Sequence, residues 1–160
     1  GSIRCVVKNS IDNFEIDDSV KRLVEMEKRY SFDEPSIFES FRKNIENRKN
    51  ELIKLLKKIK SENKTIAGFG APAKATTLMY EFGLKSDILD FIVDDSPLKQ
   101  NLFSPGIHIP IYSSKSIEEL KPDFILILAW NFADSIIKNN QNVKDYGGKF
   151  IVPLPNLEVI

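Results

Sequence analysis

The sequence predicts an α/β fold: a three-layer domain on a mostly parallel sheet of about five strands, preceded by a helical linker with one long helix. Two observations carry this. From Lys64 onward, short apolar runs alternate with stretches of helical period, and strands joined by helices make parallel sheets with right-handed crossovers. The first run, Ile66-Ala67, stops at Gly68-Phe69-Gly70-Ala71-Pro72-Ala73-Lys74 and restarts as a helix through Ala75, Leu78 and Met79. Strand, glycine turn and helix in that order give the domain its Rossmann-like character. Residues 1–63 lack the alternation and read as a strand remnant and helical linker; residues 64–160 read as the Rossmann-like domain.

Composition narrows the function classes. A chain of 160 residues suits one domain with an appendage. Its 23 basic residues match its 23 acidic ones, without a basic stripe, which argues against nucleic acid as a partner. No apolar stretch reaches the length of a membrane span, so no membrane partner is expected. The single cysteine, Cys5, has no internal disulfide partner and reads as a small apolar strand residue. One Cys and one His leave no intrachain zinc constellation. No targeting segment is visible, so the expected location is cytoplasmic.

In chain order, residues 1–8 alternate as a short strand with Ile3, Cys5 and Val7 on one face, and Gly1-Ser2 is either native or a cloning scar. Residues 9–16 read as a loop. Asp17 or Asp18 caps a helix to about Arg29, with Val20, Leu23, Val24 and Met26 facing inward. Ser31-Phe32-Asp33 breaks it, and Pro35 opens a long helix to about Glu62. Phe38, Phe41, Ile45, Leu52, Leu56 and Ile59 form its apolar stripe, and the lysines opposite read as a solvated face. A βα unit follows over 64–83. Residues 88–93 form a strand ending in Asp94-Asp95, and 96–108 a loop. Residues 109–112 are at best a short edge strand, because Pro110 cannot donate to a ladder. Ser114 caps a helix to about Leu120. Residues 123–130, nearly all apolar, are a strand covered on both faces. A helix over 131–140, a turn at Gly147-Gly148 and a last strand over 150–153 complete the domain.

In such sheets ligands bind beyond the C-terminal strand ends. Four features converge there: the glycine turn with Lys74, Asp94-Asp95, the loop carrying Lys99 and His108, and Trp130-Asn131. Gly68 and Gly70 permit close backbone approach, Pro72 fixes the helix start, and Ala73 permits close packing of helix on strand. With Ala71 and Lys74 they read as an anion cradle at the positive end of a helix; the bland alternative is a tight βα turn without a ligand. Asp94 stands at a distance suited to a ribose diol, which is the dinucleotide reading. A lone His such as His108 is more often a packing residue than a base. Trp130 either stacks on a base or sugar or belongs to the core. No Ser-His-Asp or Cys-His set is available, so no catalytic residue is assigned. The pattern favours binding over catalysis.

Four strings, GFGAPAKATTL, ILDFIVDDSPLKQNLFSPGIHIPI, KPDFILILAWNFADSII and GGKFIVPLP, resemble the C-terminal domain of the S-adenosylmethionine-dependent sugar C-methyltransferase family. The likeness is close over about 64–155; the helical lead-in resembles the family's linker, and GSIRCVV the strand ending its methyltransferase domain. The resemblance implies methylation at C3 of a 4-keto deoxysugar carried on a nucleoside diphosphate. It implies a catalytic Glu-His pair, S-adenosylmethionine and structural zinc in domains outside this chain, which itself takes no cofactor. The expected partners are the nucleoside-diphosphate sugar and the methyltransferase domain of the same polypeptide. Its pyrophosphate is placed over Gly70, Ala71 and Lys74, Lys99 and Asn131 near sugar or phosphate, and Asp94 near a hydroxyl. The rival readings are an NAD-type or nucleotide-binding domain and a non-catalytic interaction module.

Overall fold

The computed structural model describes residues 3–11, 13, 15 and 17–160, which divide into two compact units, 1–43 and 44–160. In the first unit, helix α1 (Asp18–Arg29) opens on Asp17, whose carboxylate accepts the Ser19 N–H at 2.7 Å. Such a cap satisfies one of the donors a helix start leaves over. Lys28 and Arg29 close it at the negative end of its dipole. Ser31 takes the left-handed conformation (φ 56°) just past the helix end, and α2 (Pro35–Ser61) begins on the expected proline.

Two expectations fail in this unit. Residues 3–9 form no strand, and Ile3, Cys5 and Val7 are exposed: a strand without a ladder partner leaves its backbone groups to water. The helix positions read as inward are also open. Val20, Val24, Met26, Phe38 and Phe41 are all exposed, and Leu23 is half-buried.

The second unit takes in the C-terminal half of α2, where Leu52, Leu56 and Ile59 are buried. Its strands are β1 (Ile66–Phe69), β2 (Phe91–Asp94), β3 (Leu102–Phe103), β4 (Pro110–Ser113), β5 (Phe124–Ile127), β6 (Lys149–Val152) and β7 (Glu158–Val159). They form one sheet in the order β3-β4-β2-β1-β5-β6-β7. The five central strands run parallel, as expected, with a two-residue antiparallel strand at each edge. Those edge strands, β3 and β7, were not legible in the sequence. As a result β4 is not an edge: β3 flanks it, and Pro110 stands at its first position opposite Phe103, where a missing donor is tolerated.

Helices α3 (Ala73–Phe82), α4 (Ser116–Leu120) and α5 (Ala133–Asn139) make the crossovers. Strand residues alternate between two cores. Ile66, Ile92, Leu126 and Ile151 pack with Leu52, Leu56 and Ile59 of α2 and Ala75, Leu78 and Met79 of α3. Ala67, Phe69, Val93, Ile125, Ile127 and Phe150 pack with Ile117 of α4 and Ile136 of α5. That alternation is the two-residue period of a strand covered on both faces. β1, β2 and β4 step one way from the centre and β5, β6 the other, so strand order reverses between β1 and β5. The candidate site lies at the C-terminal ends of these strands.

Candidate functional site

β1 ends in a turn that only glycine makes easily. Gly70 has φ 88°, and a Cβ there would stand 2.7 Å from the Ala129 Cβ. The turn's N–H groups point into the protein. Gly70 donates to the Val93 carbonyl at 2.7 Å, and Ala71 donates to Asp94 Oδ2 at 2.6 Å. Asp94 Oδ1 accepts the Ser96 N–H at 2.8 Å, and Oδ2 also accepts Lys99 Nζ at 3.1 Å. Burial, the largest influence, pushes the Asp94 carboxyl up. The hydrogen bonds from Ala71, Ser96 and Lys99 together outweigh it and hold the group below its ordinary value. Of the two amides expected to face a phosphate, Gly70 therefore serves a backbone carbonyl and Ala71 an internal carboxylate, and both Asp94 oxygens already have donors. Asp95, exposed beside it, lines the same cleft as Asp94.

The helix head itself stays open. Pro72 holds the cap position of α3 without a side-chain bond, and Ala75 donates to its carbonyl at 2.9 Å. Ala73 and Lys74 carry the remaining N–H groups at the positive end of the helix, and no protein acceptor meets them among the described residues. Lys74 Nζ lies 4.6 Å from the centre of the Trp130 ring and 5.6 Å from that of Phe132, within cation–π range. Trp130–Phe132 form a single 3-10 turn between β5 and α5, which swings both rings toward α3.

A cleft of about 530 Å³ opens at these strand ends. Its walls are Phe69, Gly70 and Pro72 after β1, Asp94, Asp95 and Lys99 after β2, Ser114 after β4, and Ala129, Phe132, Asn139 and Asn140 around α5. Across Pro72 and Lys99 lies a smaller apolar crevice of about 240 Å³, bordered by Met79, Leu102 and Phe103.

Of the residues singled out in the sequence, Gly70, Pro72, Asp94 and Lys99 line the main cleft, and Ala71 lines the crevice. Lys74 and Trp130 flank the cleft through Phe132, and Asn131 is exposed on the same turn. Gly68 lies inside β1, where a Cβ would meet Leu128 Cδ1 at 2.8 Å and Ile92 Cγ1 at 3.1 Å; it serves packing. His108 sits exposed at φ 56° in the β3–β4 connection, its N–H donated to the Ser104 carbonyl, and does not border the cleft. Ala73 is exposed, and Ala75 is the small residue packed in the core. The sequence reading missed Phe132, Asn139 and Asn140. The second aromatic two places after Trp130 was the available signal for Phe132; nothing in the string marks the asparagines.

Groups of this kind are suited to binding and orienting a ligand. Carboxylates, lysine, hydroxyls and amides surround an aromatic edge, without an imidazole in the cleft. Among the described residues no cluster of three metal-ligating side chains occurs, and no helix is long and apolar enough to cross a membrane.

Residues 1–155 match the family described as the C-methyltransferase C-terminal domain. The chain is also 32% identical over 160 residues to C-methyltransferase NovU of Streptomyces niveus, an alignment covering all of this chain and 38% of that protein. The chain thus spans well under half the length of the curated relative it matches. A match running from the linker through the glycine turn, the paired aspartates and the aromatic turn places this chain in the C-methyltransferase C-terminal domain family.

Proposed function

We propose that this chain is the nucleotide-sugar-holding part of an S-adenosylmethionine-dependent sugar C-methyltransferase, with methyl transfer to C3 of a 4-keto deoxysugar performed by groups outside it. One observation carries the reading: the cleft at the β1/β5 reversal has Phe132 on its rim, with the Lys74 ammonium and the free N–H groups of Ala73 and Lys74 beside it. A helix start and an ammonium group attract a diphosphate. An exposed aromatic offers a face to a base or sugar. Lys99 and Asp95 of the cleft lining, with Asn131 on the adjoining turn, are assigned to the sugar hydroxyls.

The Asp94 carboxylate favours this reading over a dinucleotide. In an NAD-type domain the pyrophosphate lies over the glycine turn. Here a negative charge already occupies that turn's Ala71 amide, and like charges so close repel. The diphosphate is accordingly assigned to the helix head and Lys74, one step beyond the expected cradle. When bound elsewhere in such an enzyme, S-adenosylmethionine supplies the methyl group. The part played by this chain is to fix the sugar's position, which lowers the entropy the chemical step must lose.

Calorimetry on the chain with a dTDP- or GDP-sugar, NAD and S-adenosylmethionine tests this. Expected are weak binding of the nucleotide sugar, none of S-adenosylmethionine, no turnover, and at least about a tenfold loss of affinity in Lys74→Ala, roughly 1.4 kcal/mol. Preferential binding of NAD would instead establish the dinucleotide reading. Absence of any nucleotide affinity would leave the interaction module.

A further inference from the structure

Among its described residues the first unit has helices but no buried side chain. No residue of α1 is buried, and within 35–43 only Ile37 is even half-buried. Its large side chains are nevertheless organised. Val20, Leu23 and Val24 recur on α1 at three and four residues, one stripe of a helix. On α2, Phe38 and Phe41 stand three apart and are 61% and 63% exposed. Between the helices the Tyr30 and Phe32 rings stack at 5.8 Å, each more than half exposed. A helix of twelve residues is marginal in water by itself, and clustered exposed apolar groups mark a surface made to be covered. Phe38 and Phe41 also share the helical phase of Leu52, Leu56 and Ile59, which are buried. One stripe therefore runs along α2, covered in its second half and bare in its first.

We propose that the exposed apolar stripes of Val20, Leu23 and Val24 on α1 and of Phe38 and Phe41 on α2 dock the preceding part of the same polypeptide. Two facts identify that occupant. The matched family is by description a C-terminal domain, and the aligned region is only 38% of the NovU C-methyltransferase, so more than half of such a protein lies outside it. The complementary surface is apolar, with pockets for two aromatic rings. The inference rests on family membership and not on the nucleotide-sugar reading.

Amide hydrogen exchange decides it, measured on the 160-residue chain and on the longer polypeptide that includes the preceding domain. In the longer polypeptide, amides of residues 18–43 exchange at least about tenfold more slowly, while residues 66–152 exchange alike in both. The double substitution Phe38→Asp with Phe41→Asp in the longer polypeptide restores fast exchange at 18–43 and leaves 66–152 protected, which separates lost docking from misfolding. Equal exchange at 18–43 in both proteins overturns the proposal. So does protection already present in the short chain together with sedimentation at twice 18.3 kDa, since the occupant is then a second copy. Neither readout involves a nucleotide, so failure of sugar binding and failure of docking are told apart.

Discussion

Asp94 shows how one side chain redirects the reading of a motif. A strand ending in glycines before a helix suggests amides aimed at a ligand. The folded chain gives the Ala71 amide to Asp94 and the Gly70 amide to Val93, so the turn holds β1 to β2 before it holds anything else. Gly70 is what makes this possible. Its φ of 88° is the left-handed region, and a methyl group there meets Ala129 Cβ at 2.7 Å. Gly70→Ala therefore combines backbone strain with overpacking, expected to destabilise by about 1–3 kcal/mol. Urea unfolding followed by circular dichroism measures it, and a midpoint equal to that of the parent chain contradicts the account.

At the scale of elements, α2 carries the sharpest contrast. Leu56 is fully buried, while Phe41 is 63% exposed on the same helix. In this chain Leu56→Ala should cost about 2–5 kcal/mol through lost burial and a cavity, and Phe41→Ala less than about 0.5 kcal/mol. Denaturant midpoints of the two variants check this; comparable losses would mean that Phe41 is packed. The stripe was legible as a period, from Phe38 to Ile59. Its exposure was not, because periodicity reports which residues share a face and not whether anything covers it. The five parallel strands were legible for a related reason: each is a short apolar run between turn signals. The edge strands Leu102–Phe103 and Glu158–Val159 have two residues each, too few for alternation to register. At the site, Gly70, Pro72, Asp94 and Lys99 were found from residue type and position. Asp94's role was not, since the string does not say which donors reach a carboxylate. Phe132 was hidden because the turn at Trp130–Phe132 falls where the strand over 123–130 was expected to pass directly into a helix from 131.

Across the whole molecule, carboxylates pin both ends of the central strand, Asp94 at one and Asp123 with Asp90, which accepts the Ile66 N–H at 2.7 Å, at the other. At its C-terminal end Asp94 ties β1 to β2 through Ala71. At its N-terminal end Asp123, just before β5, accepts Thr65 N–H and Oγ1, both at 2.9 Å, and Lys64 Nζ at 2.8 Å. Hydrogen bonding by Lys64, first, and by Thr65 brings the Asp123 carboxyl down to about 2. Asp94 is also held below its ordinary value. In the unfolded chain both return to nearly 4. The unfolded state then binds more protons across the acid range, so stability rises with pH there. The stabilisation these groups supply is complete above about pH 4 and is lost as pH falls through their folded values, toward pH 2. The Lys64 ammonium, raised by the same Asp123 contact, keeps its contribution until pH passes above its ordinary value of 10.5. Urea midpoints should therefore be flat from about pH 5 to 9 and fall steeply below 4. Asp94→Asn combined with Asp123→Asn should lower the plateau and make the acid limb shallower, because two of the carboxyls held below their ordinary values are gone and only exposed Asp17, lowered by the Ser19 hydrogen bond, is left. An acid limb as steep in the double variant as in the parent chain would assign the loss to other carboxylates and remove these two as pins of the sheet.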